Sequence, residues 1–545
     1  MLNPQQAAAV ASGHRQVVVT AGAGTGKTTT FAARVQALMA RGHSASTIAA
    51  ITFTRKAAAE LEERITATGC EVPWCGTIHS LCAKLLRGHA SAIGRTPNFS
   101  VWDAEESDAL RGELRASLKS LYRKAPELEA EVERVYQDAL SDSDALDFDG
   151  LERGMVRALR KATQQGRPKR FRIVLIDESQ DLNANQWEIV RALADEVFCV
   201  GDLRQSIYQF RGARPDILLA MLSDQGAESH ALIQGHRCGP SVTAIANAVV
   251  PESLRSRLPD MLPRAGDYDV VERSDTISVR REDAEQTMVL ARTWRELESV
   301  EADLRAAGVP VQVEGGSVWD RPAGKAIAAM VRLVANPVDT ELAIRIARLC
   351  GLTPMQSLTL RQSTRTQHVP GCVVVCGAVP GFDAWQKSLS VEHGWLLLNI
   401  ACSGGKNRML TERASIVIPE TPIALGSDAG DWTAARQELV EAGIAVEQFR
   451  AWWSDRMMRE TLTPNVTPGV LLSTIHSAKG LERDHVFLLA PNPRLFDATS
   501  DEDERWRLLY VAITRARKRL TFVIPEGERA PRAAHRFLQA LDGVA

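Results

Sequence analysis

Three short stretches hold the residue types needed for phosphate chemistry. The first is "AGAGTGKTTT", residues 21–30, which follows the apolar run "QVVVT" (16–20) and opens a helical pattern. In such a strand–loop–helix setting, glycines let backbone N–H groups wrap phosphate oxygens, and the helix N-terminus adds a favourable dipole. Gly22, Ala23, Gly24, Thr25 and Gly26 would form the cradle. Lys27 would reach the β- and γ-phosphates and Thr28 would ligate Mg²⁺. Ala21 stands where the strict pattern has Gly, and a glycine-rich turn with no ligand is the bland alternative. The second stretch is "VLIDESQD", residues 174–181. Four apolar residues deliver Asp177 and Glu178 to the C-terminal end of a strand, where ligands bind in open α/β sheets. Asp177 suits Mg²⁺ coordination through water, and Glu178 suits polarising an attacking water; two adjacent carboxylates need a cation nearby. The third is "GDLRQSIYQFRGA", residues 201–213, which packs an amide (Gln205), two rings (Tyr208, Phe210) and a guanidinium (Arg211) into one segment.

These groups need strands and helices to hold them. "QVVVT", "IAAITFT" (48–54), "FRIVLIDE" (171–178), "VFCVGD" (197–202) and "HALIQ" (230–234) read as buried strands. Residues 27–41 and "KAAAELEERI" (56–65) read as helices between them. Alternation of this kind predicts βαβ units and a parallel sheet covered on both faces. Residues about 90–165 read as acidic, helical and strandless. A second α/β region is expected to start with "TISVR" (276–280) and to resume near 468 with "GVLLSTIHSAKG", "HVFLLA" and "RLTFVI".

Bulk properties narrow the class. A chain of 545 residues suggests about three or four domains, and 45% hydrophobic and 24% charged residues are ordinary for a globular protein. A net charge of -2 and pI of about 6.6 argue against a wide basic surface but leave room for a narrow positive groove. Nine cysteines without framework spacing fit reduced thiols in a cytoplasm. Cys70, Cys75, Cys82, His79 and His89 cluster, but no paired CxxC is among them, so a zinc site is not expected. The start "MLNPQQAAAVASGH" has no secretory pattern, and no apolar run approaches the ~20 residues that span a bilayer.

Nine stretches occur in order: "LNPQQAAAV", "AGAGTGKT", "ITFTRKAAAELEERI", "GTIHSLC", "LIDESQD", "VGDLRQSIYQFRGA", "GHRC", "LLSTIHSAKGLE" and "LLYVAITRARKRL". Together they resemble the ordered motifs of superfamily 1 DNA helicases of the UvrD/Rep/PcrA type, over about 1–89, 165–250 and parts of 310–350 and 468–525. The resemblance implies an α/β P-loop NTPase fold of two RecA-like parallel-sheet lobes, each with an insertion subdomain. On this basis 1–89 and 165–236 make lobe one and 90–164 its helical insertion; 237–350 and 468–545 make lobe two, interrupted by 351–467, whose fold is left unassigned. ATP with Mg²⁺ would sit between the lobes and single-stranded DNA would cross both.

The same resemblance implies roles by position. Gln6 would read the adenine edge, and Lys27, Thr28, Asp177 and Glu178 would keep the roles above. Gln205 would sense the γ-phosphate, Arg237 and Arg515 would neutralise it from either side, and Glu482 would touch the nucleotide from lobe two. Phe53, Thr54, Thr77, His79, Tyr208, Phe210, Arg211, Thr474 and His476 fall at DNA-side or coupling positions. Ring stacking on bases contributes roughly 1–3 kcal/mol per base and tolerates any sequence. One rigid segment, 201–213, would then link nucleotide state to base grip; ordinary core packing of Tyr208 and Phe210 is the competing reading.

This chain also departs from the family. His236 stands where Tyr is usual at the adenine-stacking turn, and Thr29 where an Arg covers the other adenine face. Arg483 replaces a Phe, Trp506 an Arg, and Ala323 and Ala326 two acids, while 351–467 is shorter than its counterpart. The expected activity is that of an ATP-dependent, 3′-to-5′ single-stranded DNA translocase and helicase. It would act on single-stranded and tailed duplex DNA in repair, replication or a mobile-element or defence setting, away from membranes. The alternative is a DNA-stimulated ATPase that strips proteins or partners a nuclease without unwinding duplex, with 351–467 as the surface for a protein partner. A GTPase-like switch ranks last, because the chain has no NKxD segment to read guanine.

Overall fold

The computed structural model describes residues 2–313, 469–489 and 502–524, apart from 68, 98, 120, 123, 210, 211, 256, 267 and 268, together with positions 344, 433 and 437. Phe210, Arg211, Ala323, Ala326 and nearly all of 351–467 lie outside the described residues. In chain order the elements are α1 (Pro4–Ala11), β1 (Gln16–Ala21), α2 (Lys27–Ala40), β2 (Ile48–Thr52), α3 (Arg55–Thr66), β3 (Trp74–Thr77) and α4 (Ile78–Arg87). There follow β4 (Ser100–Val101), α5 (Ala104–Leu118), α6 (Ala125–Asp142), β5 (Ala145–Leu146), α7 (Phe148–Gln164) and β6 (Phe171–Ile176). Next come α8 (Ala184–Leu193), β7 (Ala194–Gly201), α9 (Pro215–Leu222), β8 (Glu228–Leu232), α10 (Pro240–Ala248) and α11 (Glu252–Arg255). The last are β9 (Val270–Ser274), β10 (Thr287–Ala291), α12 (Trp294–Ala306), β11 (Val311–Val313), β12 (Val470–Thr474), β13 (Arg483–Leu489), α13 (Glu502–Ile513) and β14 (Ala516–Val523).

The strands form two six-stranded sheets, ordered β3-β2-β6-β7-β1-β8 and β11-β12-β10-β13-β14-β9, and every pair within them is parallel. Their central strands are unbroken apolar runs, because helices cover both faces. "IAAIT" of β2, "TMVLA" of β10 and "VLLST" of β12 are buried at every position. In the first lobe Phe31, Val35 and Leu38 of α2 pack on Val17, Val19, Ile173 and Phe198. Burying each such side chain contributes about 1.5–3 kcal/mol. In the second lobe α13 carries "LLYVAI", residues 508–513, all fully buried. That half of the helix, apolar all round, belongs in a core, which it shares with α10, β10, β13 and β14.

Two expectations need correction. "TISVR" is not a strand; the edge strand is "VVERS", Val270–Ser274, paired with β14, and Ser274 then turns the chain by accepting from Thr276 N at 3.2 Å. Ile277 and Val279 instead pack side-on against the second lobe's other core. The segment 90–165 is not strandless either: β4 and β5 pair over two residues each, because Asp144 turns the chain in the left-handed region (φ 44°) and brings Ala145–Leu146 beside Ser100–Val101.

Residues His79–Ala158 belong to a second compact unit. Its α5 and α6 pack through Leu110, Leu114, Leu118, Val132 and Tyr136. The buried Tyr136 hydroxyl donates to Asp147 at 3.0 Å, and Asp147 also accepts from Gly150 N at 2.7 Å. No helix among the described residues is long and apolar enough to cross a membrane.

Candidate active site and nucleic-acid interface

The loop after β1 is shaped to leave backbone N–H groups free. α2 begins at Lys27 with Gly26 as its N-cap in the left-handed region (φ 88°), and no side chain caps its first turn. Orphan N–H groups and the helix dipole then face outward together, a ready site for an anion. The glycines are needed for space as well as angle. A Cβ on Gly22 would overlap Met261 Sδ, one on Gly24 would overlap Arg237 Cβ, and one on Gly26 would overlap Gln6 Nε2. Gln6 is buried, and its amide is engaged at both ends: Nε2 donates to Thr25 O at 3.1 Å and Oε1 accepts from Asn3 N at 3.0 Å. The His236 N–H donates to Gly24 O at 2.9 Å, while its imidazole stays exposed. Thr28 is half-buried and Thr29 exposed.

β6 delivers the carboxylates. The Asp177 N–H donates to Ile51 O at 2.9 Å, extending the ladder by one residue beyond the strand. Glu178 then takes a left-handed conformation (φ 52°). A non-glycine residue held there stores about 1–3 kcal/mol, which surrounding contacts must offset. Those contacts are visible: the Glu178 N–H donates to Asp177 Oδ1 at 2.9 Å, and Lys27 Nζ lies 3.3 Å from Glu178 Oε1. The two carboxyls are driven apart. Burial first, and the adjacent charge of Glu178 second, push Asp177 well above the usual carboxylate range. Burial also opposes ionisation of Glu178, but Lys27 and Lys479 outweigh it and hold that carboxyl down. Gln180 links this loop to the next one: its Nε2 donates to Glu178 Oε2 at 2.6 Å and its Oε1 accepts from Asp202 N at 3.0 Å.

Lobe two contributes charges to the same cleft. Arg515 is fully buried just past α13 and donates to Val511 O (2.8 Å), Leu481 O (3.2 Å), Thr514 Oγ1 (3.0 Å) and Gln205 Oε1 (3.4 Å). Burial, and then the charge of Arg237, lower Arg515 to about 9. Gln205 is fixed from the other side by donating Nε2 to Asp202 Oδ2 at 2.8 Å. Arg237 donates to Thr514 O at 3.2 Å and forms an ion pair with Glu482. Lys479 pairs with Asp181 and donates to Gln205 O at 2.9 Å. Burial pushes Asp181 up to about 6, with Lys479 opposing and Glu178 adding to the shift.

The candidate nucleic-acid side is built from rings. Phe53 and Tyr208 stack with centroids 5.1 Å apart and planes 17° from parallel. Lys479 Nζ lies 5.1 Å from the Tyr208 ring centre and 5.9 Å from that of Phe53, within cation–π range. The Tyr208 hydroxyl donates to His476 O at 3.4 Å, and the His476 ring approaches Arg292 Nη1 at 3.3 Å. One lysine therefore touches the carboxylate loop, the Gln205 backbone and the aromatic pair. The Thr474 hydroxyl donates to Ser477 Oγ at 3.1 Å at the end of β12. Thr54 is exposed, and its side chain caps α3 by accepting from Ala57 N at 3.1 Å. Thr77 is half-buried at the end of β3. His79, in the second compact unit, stacks on Phe148 (4.2 Å) and meets the buried Glu152 at 2.9 Å.

The UvrD/REP helicase N-terminal domain matches residues 2–131 and 115–225, and the UvrD-like helicase C-terminal domain matches 456–526. The chain belongs to the UvrD/Rep helicase family. It is thus an enzyme of the ATP-dependent DNA helicase class. The chain is 29% identical to ATP-dependent DNA helicase UvrD1 of Mycobacterium tuberculosis, over 95% of this chain and 81% of that one. It is 27% identical to ATP-dependent DNA helicase PcrA of Bacillus subtilis (95% and 82%) and 27% identical to DNA helicase II of Escherichia coli (97% and 85%). These alignments run over 620 to 631 positions, more than the 545 residues here, so the relatives carry segments that this helicase lacks.

The donor set of this helicase fits a magnesium nucleotide. A glycine cradle that any Cβ would fill, an ammonium paired with a carboxylate, and a half-buried threonine at the helix start are the groups such a ligand needs. Sequence reasoning missed Asp181, Asp202, Lys479, Tyr510 and Arg292. The first four stand inside the quoted motifs, but each has a partner in the other lobe, which leaves no local signal. Arg292 follows the buried run "TMVLA", a signal available in retrospect.

Proposed function

We propose that this helicase is a 3′-to-5′ single-stranded DNA translocase and helicase whose ATP hydrolysis depends on closure of its two lobes. The observation that carries the reading is Arg515 of lobe two bonded to Gln205 of lobe one beside Lys27 and Glu178. Gly22–Thr28 hold the phosphates, with Thr28 and Asp177 on Mg²⁺. Mg²⁺ would neutralise phosphate charge and fix its oxygens. Glu178, kept ionised by Lys27 and Lys479, orients the attacking water and accepts its proton. Arg237 and Arg515 neutralise the charge that develops, an effect of about 10³–10⁵ in rate where such fingers have been removed. Glu482 holds Arg237 and releases it toward phosphate. Gln6, Thr29, His236 and Glu482 border the nucleoside end. Phe53, Tyr208 and His476 would grip bases, and Thr54, Thr77 and Thr474 would follow the backbone; Phe210, Arg211 and His79 keep the DNA-side or coupling roles that the resemblance implies. The 351–467 insertion is the candidate surface for a protein partner.

The test measures ATP hydrolysis with and without single-stranded DNA, then strand release on duplexes tailed at either the 3′ or the 5′ end. Strong stimulation with release from 3′ tails supports the whole reading. Stimulation without strand release supports instead a motor that strips proteins or serves a nuclease. Hydrolysis indifferent to DNA contradicts coupling between the two sides.

A further inference from the structure

Besides Arg515 and Lys479, lobe two sends Tyr510 into lobe one. Tyr510 lies five residues before Arg515, on α13, and is fully buried. Its hydroxyl accepts from the Ala23 N–H of the phosphate loop at 3.3 Å and lies 3.3 Å from Asp202 Oδ2. Met261 Sδ is 3.1 Å away on the remaining side, in the space that Gly22 leaves open. A phenol has one proton, and the charged acceptor takes it, because a charge-assisted bond is about twice as strong as a neutral one. Burial and the Asp202 charge push the Tyr510 phenol far up, so it remains a donor at any working pH. The same Asp202 oxygen accepts from Gln205 Nε2 at 2.8 Å. The orientation of the Gln205 amide is thereby set, with Nε2 on Asp202 and Oε1 toward Arg515. A continuous hydrogen-bonded path runs from the loop backbone through Tyr510, Asp202 and Gln205 to Arg515.

We infer that Tyr510 is a positioning residue for hydrolysis: with Asp202 it orients the Gln205 amide and ties the phosphate loop to lobe two. The inference rests on the proposed role of Gln205 and Arg515. Tyr510 touches no reacting atom, so its effect falls on the chemical step and not on nucleotide capture. Tyr510→Phe keeps the ring packing and removes the hydroxyl, leaving the Ala23 N–H without its acceptor and Asp202 without one donor. Asp202→Asn keeps the side-chain shape and approaches the same path from lobe one.

The experiment reads kcat and KM for ATP of the full chain, with saturating single-stranded DNA, for both single variants and the double variant, beside thermal unfolding. Tyr510→Phe should lower kcat about tenfold and change KM for ATP less than about threefold. Asp202→Asn should do the same, and the double variant should be no worse than the more damaged single, as groups on one path are non-additive. Wild-type kcat in folded Tyr510→Phe, or fully additive losses in the double variant, would overturn the inference. If Tyr510→Phe does not fold, the kcat and KM of Asp202→Asn decide alone. An inactive wild-type chain would overturn the underlying ATPase reading instead, so the two failures are distinct.

Discussion

Each lobe has a fully or nearly fully buried strand that runs into a helix, β1 into α2 and β10 into α12, and the two junctions treat the helix N-terminus in opposite ways. In lobe one, Gly26 leads into α2 with a positive φ and no side-chain cap. In lobe two, the Glu296 carboxylate folds back onto the start of α12, accepting from Thr293 N and Thr293 Oγ1, each at 2.8 Å. One helix start is left open to an outside anion, and the other already holds one from its own chain. Two sheets of the same parallel kind can therefore divide the work. In the proposed reading lobe one binds phosphate, and lobe two supplies Arg515, Tyr510 and Lys479 to that site. In that reading binding and triggering sit on separate sheets, as dependence on closure would require.

The contrast can be broken most severely at Gly26. Gly26→Ala forces a methyl group onto Gln6 Nε2 at φ 88°. We expect nucleotide affinity to fall at least about tenfold and lobe stability by about 1–3 kcal/mol. Equilibrium titration with a fluorescent nucleotide, beside urea unfolding, measures both. Unchanged affinity would mean that the cradle is not the binding element.

A smaller effect comes from pH. Asp177 and Asp181 are raised above their unfolded values, so the folded state holds protons that the unfolded state has released. Their contribution to stability is present at low pH and is lost as pH rises from the ordinary carboxylate range near 4 through about 6 for Asp181 and higher for Asp177. Glu178 works in the opposite sense and loses its contribution as pH falls below its unfolded value. A cation bound at Asp177 needs the proton gone. Mg²⁺ with a non-hydrolysable nucleotide should therefore raise Tm more at pH 8 than at pH 5.5. Equal shifts at the two values would contradict the ionisation pattern.

The smallest expected effect is at the other junction. Glu296→Ala should cost about 0.5–2 kcal/mol, the usual cost of losing a helix cap, and leave kcat and KM for ATP unchanged. Thermal unfolding beside steady-state hydrolysis separates the two. A change in KM would show that α12 shares in nucleotide binding after all.

The two junctions also show what a sequence can reveal. "QVVVTAGAGTGKT" names the strand, the loop and the helix start because local chemistry forces each: an apolar run, glycines where a Cβ would collide, then a lysine. The run "TMVLA" is as apolar, but β9 before it is the polar "VVERS", an edge strand needing little burial. Its neighbour "TISVR" alternates better and misleads. Within the candidate site, Lys27, Asp177 and Glu178 each follow an apolar strand that the sequence itself marks. Lys479 on Asp181 and Tyr510 on Ala23 carry no such mark, because no pattern within one segment states which residue of the other lobe it will meet.

The central claim, that hydrolysis waits for a charge supplied by lobe two, is tested most directly at Arg515. ATP hydrolysis with and without single-stranded DNA should be measured in Arg515→Ala beside the wild type, with nucleotide binding measured separately. We predict that binding persists while the stimulated rate falls about 10³-fold or more. A variant that still hydrolyses ATP at the wild-type, DNA-stimulated rate would contradict the account.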